Sequence, residues 1–232
     1  MENLDRSKGV ETVFRDFLTL CTCSLAQPFY RSEEIEQKYK DTIKNYTKEQ
    51  AEEFPKLLAF LVSALEIEHQ DFLGEVYMHL NLGSASKGQY FTPYRISKMM
   101  SKMTGYHVKK YAGSEIITLY EPYCGSGGMI IAFADALFEQ RINYQQVLYV
   151  EATDIDELCY KMTFIQLSVL GIPAKVVWGD SLSIKTNKVL YTPFFFLGDF
   201  QKKLQDRANF EKINISETKE KSHGEQLKLF NF

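Results

Sequence analysis

The sequence predicts a mixed α/β fold in which a helical N-terminal region leads into a parallel sheet. Two observations carry that expectation. Apolar residues recur at helical spacing through the first third of the chain, and beyond it short apolar runs alternate with longer amphipathic ones in the order β-α-β-α-β. With 45% hydrophobic and 25% charged residues among 232, the chain has enough apolar material for one or two compact domains.

Taken in order, residues 12–25 and 48–82 carry the first helical stripes: Phe54, Leu57, Leu58, Leu61 and Leu65 form one, and Phe72, Leu73, Val76 and Leu80 another. The segment "NLGSASKGQYFTP" breaks the period with Gly, Ser and Pro, and "YRISKMMSKMTG" then reads as a short amphipathic helix ending at Gly105. "EIITLYEP", "QVLYVEATD" and "AKVVWGD" read as buried strands, separated by helical "GGMIIAFADALFEQR" and "DELCYKMTFIQLSVLG". Helical crossovers of this length predict parallel pairing. From Asp199 the chain turns polar, with a helix expected to about Ile213 and a solvated tail after it. The expected divisions are a helical region at 1–83, a ligand-binding sheet domain at 84–198, and a helix with a flexible tail at 199–232.

Composition excludes several function classes. A net charge of −3 gives no general attraction to nucleic acid, so contact with DNA needs a local basic face or a partner subunit. Cys21, Cys23, Cys124 and Cys159 are too scattered for a disulfide framework and lack the paired spacing of a zinc site, so reduced, structural cysteines and no metal are expected. No apolar run approaches the roughly 20 residues that span a bilayer, and "MENLDRSKGVETVFRDF" is too charged for a signal peptide. The expectation is a cytoplasmic protein without a membrane partner.

"EPYCGSGGMI" follows the first strand and opens a helix, where Gly125, Gly127 and Gly128 allow positive φ and close approach of backbone N–H groups to a ligand. Asp154 and Asp180 end the next two strands, so three consecutive strands bring polar groups to one carboxyl edge, where open α/β sheets bind ligands. An acid after the second strand can accept both hydroxyls of a ribose, and one after the third can accept an adenine amine. Together they point to a nucleoside-like ligand.

In the order of these motifs the sequence resembles the adenine-N6 DNA methyltransferases, especially the modification subunits of type I restriction systems and related short forms in phages and mobile elements. "GQYFTPYRISKMM" looks like the family's upstream S-adenosylmethionine motif, "EPYCGSGG" like its glycine turn, "ATDID" like its ribose acid and "GDSL" like its adenine-contacting acid; "DFLGEVYMHL" resembles the helix that leads into the first of these. The resemblance covers about residues 71–182. It implies a truncated Rossmann-like methyltransferase sheet with S-adenosylmethionine as cofactor. Gln89, Tyr90, Phe91, Thr92 and Pro93 would lie against the methionine end. Glu121, Gly125, Ser126, Gly127 and Gly128 would surround the amino-acid portion, with Asp154 on the ribose and Asp180 on the adenine.

In that family the fourth strand ends in Asn-Pro-Pro-Phe or a close relative, which holds the amine of a flipped-out adenine and stacks on its face. Aligned with it, "KVLYTPFFFL" sets Tyr191, Thr192, Pro193 and Phe194 on the catalytic tetrapeptide. Tyr191 replaces the amide, and a phenol oxygen lies several ångströms further from the backbone. Only about 35 residues follow Leu197, so the expectation is the cofactor half of a methyltransferase without most of the substrate half. Two functions follow from the resemblance: adenine-specific methylation of DNA with help from a partner subunit, or a catalytically inactive, cofactor-binding adaptor of a restriction-modification or mobile-element system. The closing "GEQLKLFNF" resembles the peptide by which bacterial proteins dock on the DNA sliding clamp, with Leu227, Leu229 and Phe230 as apolar anchors and Gln226 as the polar one.

Overall fold

The computed structural model describes residues 7–80, 82, 91–105 and 116–209. Two compact units divide the chain, Met1–Gly198 and Asp199–Phe232. In the first, helices α1 (Gly9–Tyr30), α2 (Glu33–Ile43), α3 (Lys48–Ala51), α4 (Glu53–Ile67), α5 (Phe72–His79) and α6 (Tyr94–Gly105) precede strand β1 (Ile117–Glu121). Then come α7 (Gly128–Glu139), α8 (Tyr144–Val147), β2 (Leu148–Asp154), α9 (Glu157–Val169), β3 (Ala174–Asp180), β4 (Lys185–Tyr191) and α10 (Pro193–Leu197). The second unit is helical over residues 200–209, where the Lys203 ammonium sits 4.4 Å from the centre of the Phe200 ring.

Caps set the helix starts. Ser32 accepts the N–H of Ile35, Thr47 and Gln50 form a reciprocal capping box, Asp71 accepts the N–H of Gly74, and Asp156 accepts those of Leu158 and Cys159. α1 buries Val13, Phe14, Phe17 and Leu18 and packs on α9, which is buried on nearly every side. The N-terminal helices therefore pack on α9 and α7 and share one core with the sheet.

β1, β2 and β3 pair in parallel, as the spacing predicts. The sheet order is β1-β2-β3-β4, and β2 in its interior is buried through almost its whole length. β4 pairs antiparallel with β3, Lys175 opposite Tyr191 and Asp180 opposite Lys185. The physical reason is the four-residue link at 181–184, far short of the dozen or so residues a parallel crossover needs.

This return corrects the reading of the aromatic run. The strand stops at Tyr191, and the three phenylalanines after Pro193 belong to α10, with Pro193 in its first turn. Pro has no N–H to give a ladder and its fixed φ suits a helix start. Among the described residues no helix is long and apolar enough to cross a membrane, no group of His, Cys, Asp and Glu could hold a metal ion, and the four cysteines are free and buried.

Candidate functional site

The carboxyl ends of β1, β2 and β3 lie at one edge, and the glycine turn between β1 and α7 forms the floor of a cavity of about 320 Å³ there. Gly125 and Gly127 adopt φ of +54° and +98°. A Cβ on Gly125 would come within 3.1 Å of the Phe91 ring, and one on Gly128 within 2.9 Å of the Asp71 carboxylate. Bare backbone is what lets the turn close on its neighbours.

Three side chains fix the turn's shape. Asp154 accepts the N–H of Gly125 at 2.8 Å through one oxygen and that of Asp156 at 2.9 Å through the other. Burial pushes its carboxyl above the ordinary range, while these backbone donors pull it back. Thr163 on α9 donates to the Gly125 carbonyl at 2.9 Å. The hydroxyl of Ser126 donates to Asp71.

Asp71 and Gln166 are the residues the sequence reading missed. The Gln166 amide donates to Asp71 at 2.9 Å and to the Ser126 carbonyl at 2.8 Å, while its oxygen accepts the N–H of Leu73 at 2.9 Å. This one side chain thus joins α5, the glycine turn and α9. Burial pushes the Asp71 carboxyl upward, against the three hydrogen bonds it accepts. A signal existed for both: Asp71 opens the "DFLGEVYMHL" segment, and Gln166 is the lone amide of its helix, at helical spacing from Cys159 and Thr163.

The expected site residues fall into five groups. Phe91, Thr92, Gly125, Ser126, Gly128 and Asp154 line the cavity, joined by Tyr123, Ile155 and Cys159, which were not anticipated. Pro93 lines an adjoining cavity of about 570 Å³ that shares Asp71, Phe91 and Thr92, and Gly127 packs on Thr163 behind the turn. Glu121 and Asp180 stand at their strand ends but outside the cavity lining. Glu121 accepts the N–H of Tyr123 at 3.3 Å; Asp180 accepts the N–H of Leu182 at 2.9 Å and the hydroxyl of Ser183 at 2.7 Å, and both bonds hold its carboxyl below the ordinary range. Gln89, Tyr90, Gln226, Leu227, Leu229 and Phe230 lie outside the described residues.

Tyr191, Thr192, Pro193 and Phe194 form the last group, and their expected place is corrected. Tyr191 pairs with Lys175, five residues before Asp180, so it lies roughly 17 Å down the strand from the cavity edge. Thr192 is fully buried there, accepting the N–H of Ala174 at 2.9 Å and donating to the Ile172 carbonyl at 2.7 Å. The Tyr191 ring packs against that of Phe195 at 4.4 Å, and Phe194 rests near Gly171. The tetrapeptide fastens the end of β4 to the amino end of β3.

A parallel three-strand core with a glycine turn after β1 and an acid after β2 defines the class: a Rossmann-like methyltransferase sheet, of four strands among the described residues. The N-6 DNA methylase family model matches residues 68–221, well over half of the chain, and the chain belongs to that family. It is a DNA adenine methyltransferase-like protein, and members of the family generally use S-adenosylmethionine. No curated protein and no solved structure matches.

Proposed function

We propose that the chain binds S-adenosylmethionine in the glycine-turn cavity and acts as the cofactor half of a DNA adenine N6-methyltransferase, with the adenine-holding half supplied by a second chain. The observation that carries this reading is the clamped turn, held by Asp154 from β2 and by Asp71 and Gln166 from two helices.

The residues present suit that cofactor. Each Asp154 oxygen spends one bond on backbone, and a carboxylate has further lone pairs for ribose hydroxyls. The start of α7 offers N–H groups and a favourable dipole to a carboxylate. Phe91, Tyr123 and Ile155 give apolar faces to the remainder. Gln89, Tyr90 and Pro93 extend the methionine end in this proposal, with Glu121 supporting the turn. Asp180 is assigned to its own hairpin.

Once bound, the cofactor supplies an electrophilic methyl group on a sulfonium. The chain's part is to orient it, through Asp154 and the turn, and to exclude water through Phe91 and Ile155. Transfer to N6 also needs acceptors for the adenine amine, and Tyr191 to Phe194 stand at the wrong edge to provide them. The same observation favours a second reading, a cofactor-binding adaptor without transfer, with Gln226, Leu227, Leu229 and Phe230 as its clamp-docking peptide. Either protein works in the cytoplasm. Assaying N6-methyladenine in DNA from cells expressing the chain, alone and beside a recognition-bearing partner, tests the reading: methylation only with the partner supports the cofactor half, and none in either case supports the adaptor.

A further inference from the structure

A further cavity, of about 210 Å³, lies between α1, α2, α9 and the β3–β4 hairpin and shares no lining residue with the glycine-turn cavity. Two of its hydroxyls stand out. Tyr160 is 2% exposed and Thr22 7%, and among the described residues neither side-chain oxygen has a hydrogen-bond partner. Native interiors seldom bury hydroxyls unpaired, so two such groups on one cavity call for an explanation. Burial pushes the Tyr160 phenol upward, so it keeps its proton and can donate.

The charged groups of the lining set the sign of that partner. The Lys161 ammonium donates to the Thr19 hydroxyl at 3.0 Å and pairs with Glu157 at 2.8 Å, Lys38 shares Glu157 at 3.5 Å, and Lys188 pairs with Glu34 at 2.9 Å. Both carboxylates are therefore already engaged by three ammonium groups, one cation in excess. With two O–H donors added, the unmet demand is for an acceptor-rich, negatively charged group. The space lies below the roughly 300–1,000 Å³ of sites for larger ligands, which suits an oxyanion with a short apolar arm. Ile35 and Leu190 provide the apolar wall for such an arm.

We infer that this cavity is a binding site for a small oxyanion, a phosphate or a short-chain carboxylate, held by Tyr160, Thr22, Lys38 and Lys161. Its occupant bridges α1 and α2 to α9 and the hairpin, and so ties the N-terminal helices to the sheet. The inference stands independently of the cofactor cavity.

The test uses the full chain in calorimetric titration and thermal unfolding with inorganic phosphate and, separately, butyrate, against sodium chloride at matched ionic strength. At least one anion binds saturably and raises the melting temperature, and chloride does neither; phosphate alone or butyrate alone identifies the source of the oxyanion. Tyr160→Phe weakens that binding about tenfold or more, as loss of a hydrogen bond to a charged group does, while the anion-free variant melts no lower than the wild type because a buried orphan hydroxyl is gone. Thr22→Val repeats the test with a side chain of the same shape, and carries it alone if Tyr160→Phe does not fold. Absence of saturable binding by either anion, or binding that both variants leave unchanged, overturns the inference and leaves the hydroxyls to water.

Discussion

Gln166→Leu is the substitution that probes the clamp most sharply. Gln166 is fully buried and spends both ends of its amide on other elements. Leucine of similar size keeps the packing but leaves the Leu73 N–H and the Ser126 carbonyl without their partner, while Asp71 keeps the donors Gly74 and Ser126. An orphaned buried polar group costs about 1–3 kcal/mol, so two cost about 2–6 kcal/mol. Burying the apolar leucine returns about 1 kcal/mol, and the net loss centres on ~3 kcal/mol. For a unit of nearly two hundred residues each kcal/mol shifts the melting temperature by about 2–4 °C, which places the variant roughly 6–12 °C below the wild type in a reversible thermal scan. Because the Ser126 carbonyl is part of the turn, affinity for S-adenosylmethionine falls as well. A melting temperature within about 2 °C of wild type, with affinity intact, would refute the clamp.

Thr192→Val removes the hydroxyl that joins Ala174 to Ile172, and a loss of about 1–3 kcal/mol in denaturant unfolding is expected, with affinity for S-adenosylmethionine unchanged. Tyr191→Asn restores the amide the family's tetrapeptide carries, yet DNA methylation assayed with and without a partner gains nothing, since the position stands at the amino edge of the sheet; any gain would contradict the placement. Asp71→Asn tests a pH dependence. The folded-state carboxyl of Asp71 lies above its ordinary 3.8, so its contribution is fully favourable below that value and is lost as pH rises through the folded value. Urea unfolding from pH 3.5 upward therefore shows wild-type stability falling relative to Asp71→Asn; parallel curves would remove Asp71 as a buried titrating group.

Periodicity revealed most of the architecture. The stripes at Phe54, Leu61 and Leu65 and at Leu73, and the three strands ending at Glu121, Asp154 and Asp180, stand where the spacing sets them, because one buried face imposes one period. The cavity was legible for a related reason: a turn that needs positive φ at Gly125 and Gly127 tolerates few other residues. What alignment to the family obscured was β4. The link from Asp180 to Lys185 is too short for a crossover, and counting it would have predicted a hairpin with Tyr191 carried away from the site. Asp180 shows a different limit, since a strand-end acid looks alike whether it serves a ligand or the next turn, and here Leu182 and Ser183 claim it. Asp71 and Gln166 meet from positions 95 residues apart, a distance no local pattern spans.

Whether the clamped turn holds S-adenosylmethionine is decided by calorimetric titration of the full chain with that cofactor, with Asp154→Ala and Thr192→Val beside the wild type. Hydrogen bonds to a charged group contribute about 1.5–3 kcal/mol, so the wild type binds saturably, Asp154→Ala binds roughly ten- to a hundredfold more weakly, and Thr192→Val is unchanged. A folded wild type that binds no S-adenosylmethionine, or an Asp154→Ala variant that binds it equally well, would rule out the clamped turn as the cofactor site.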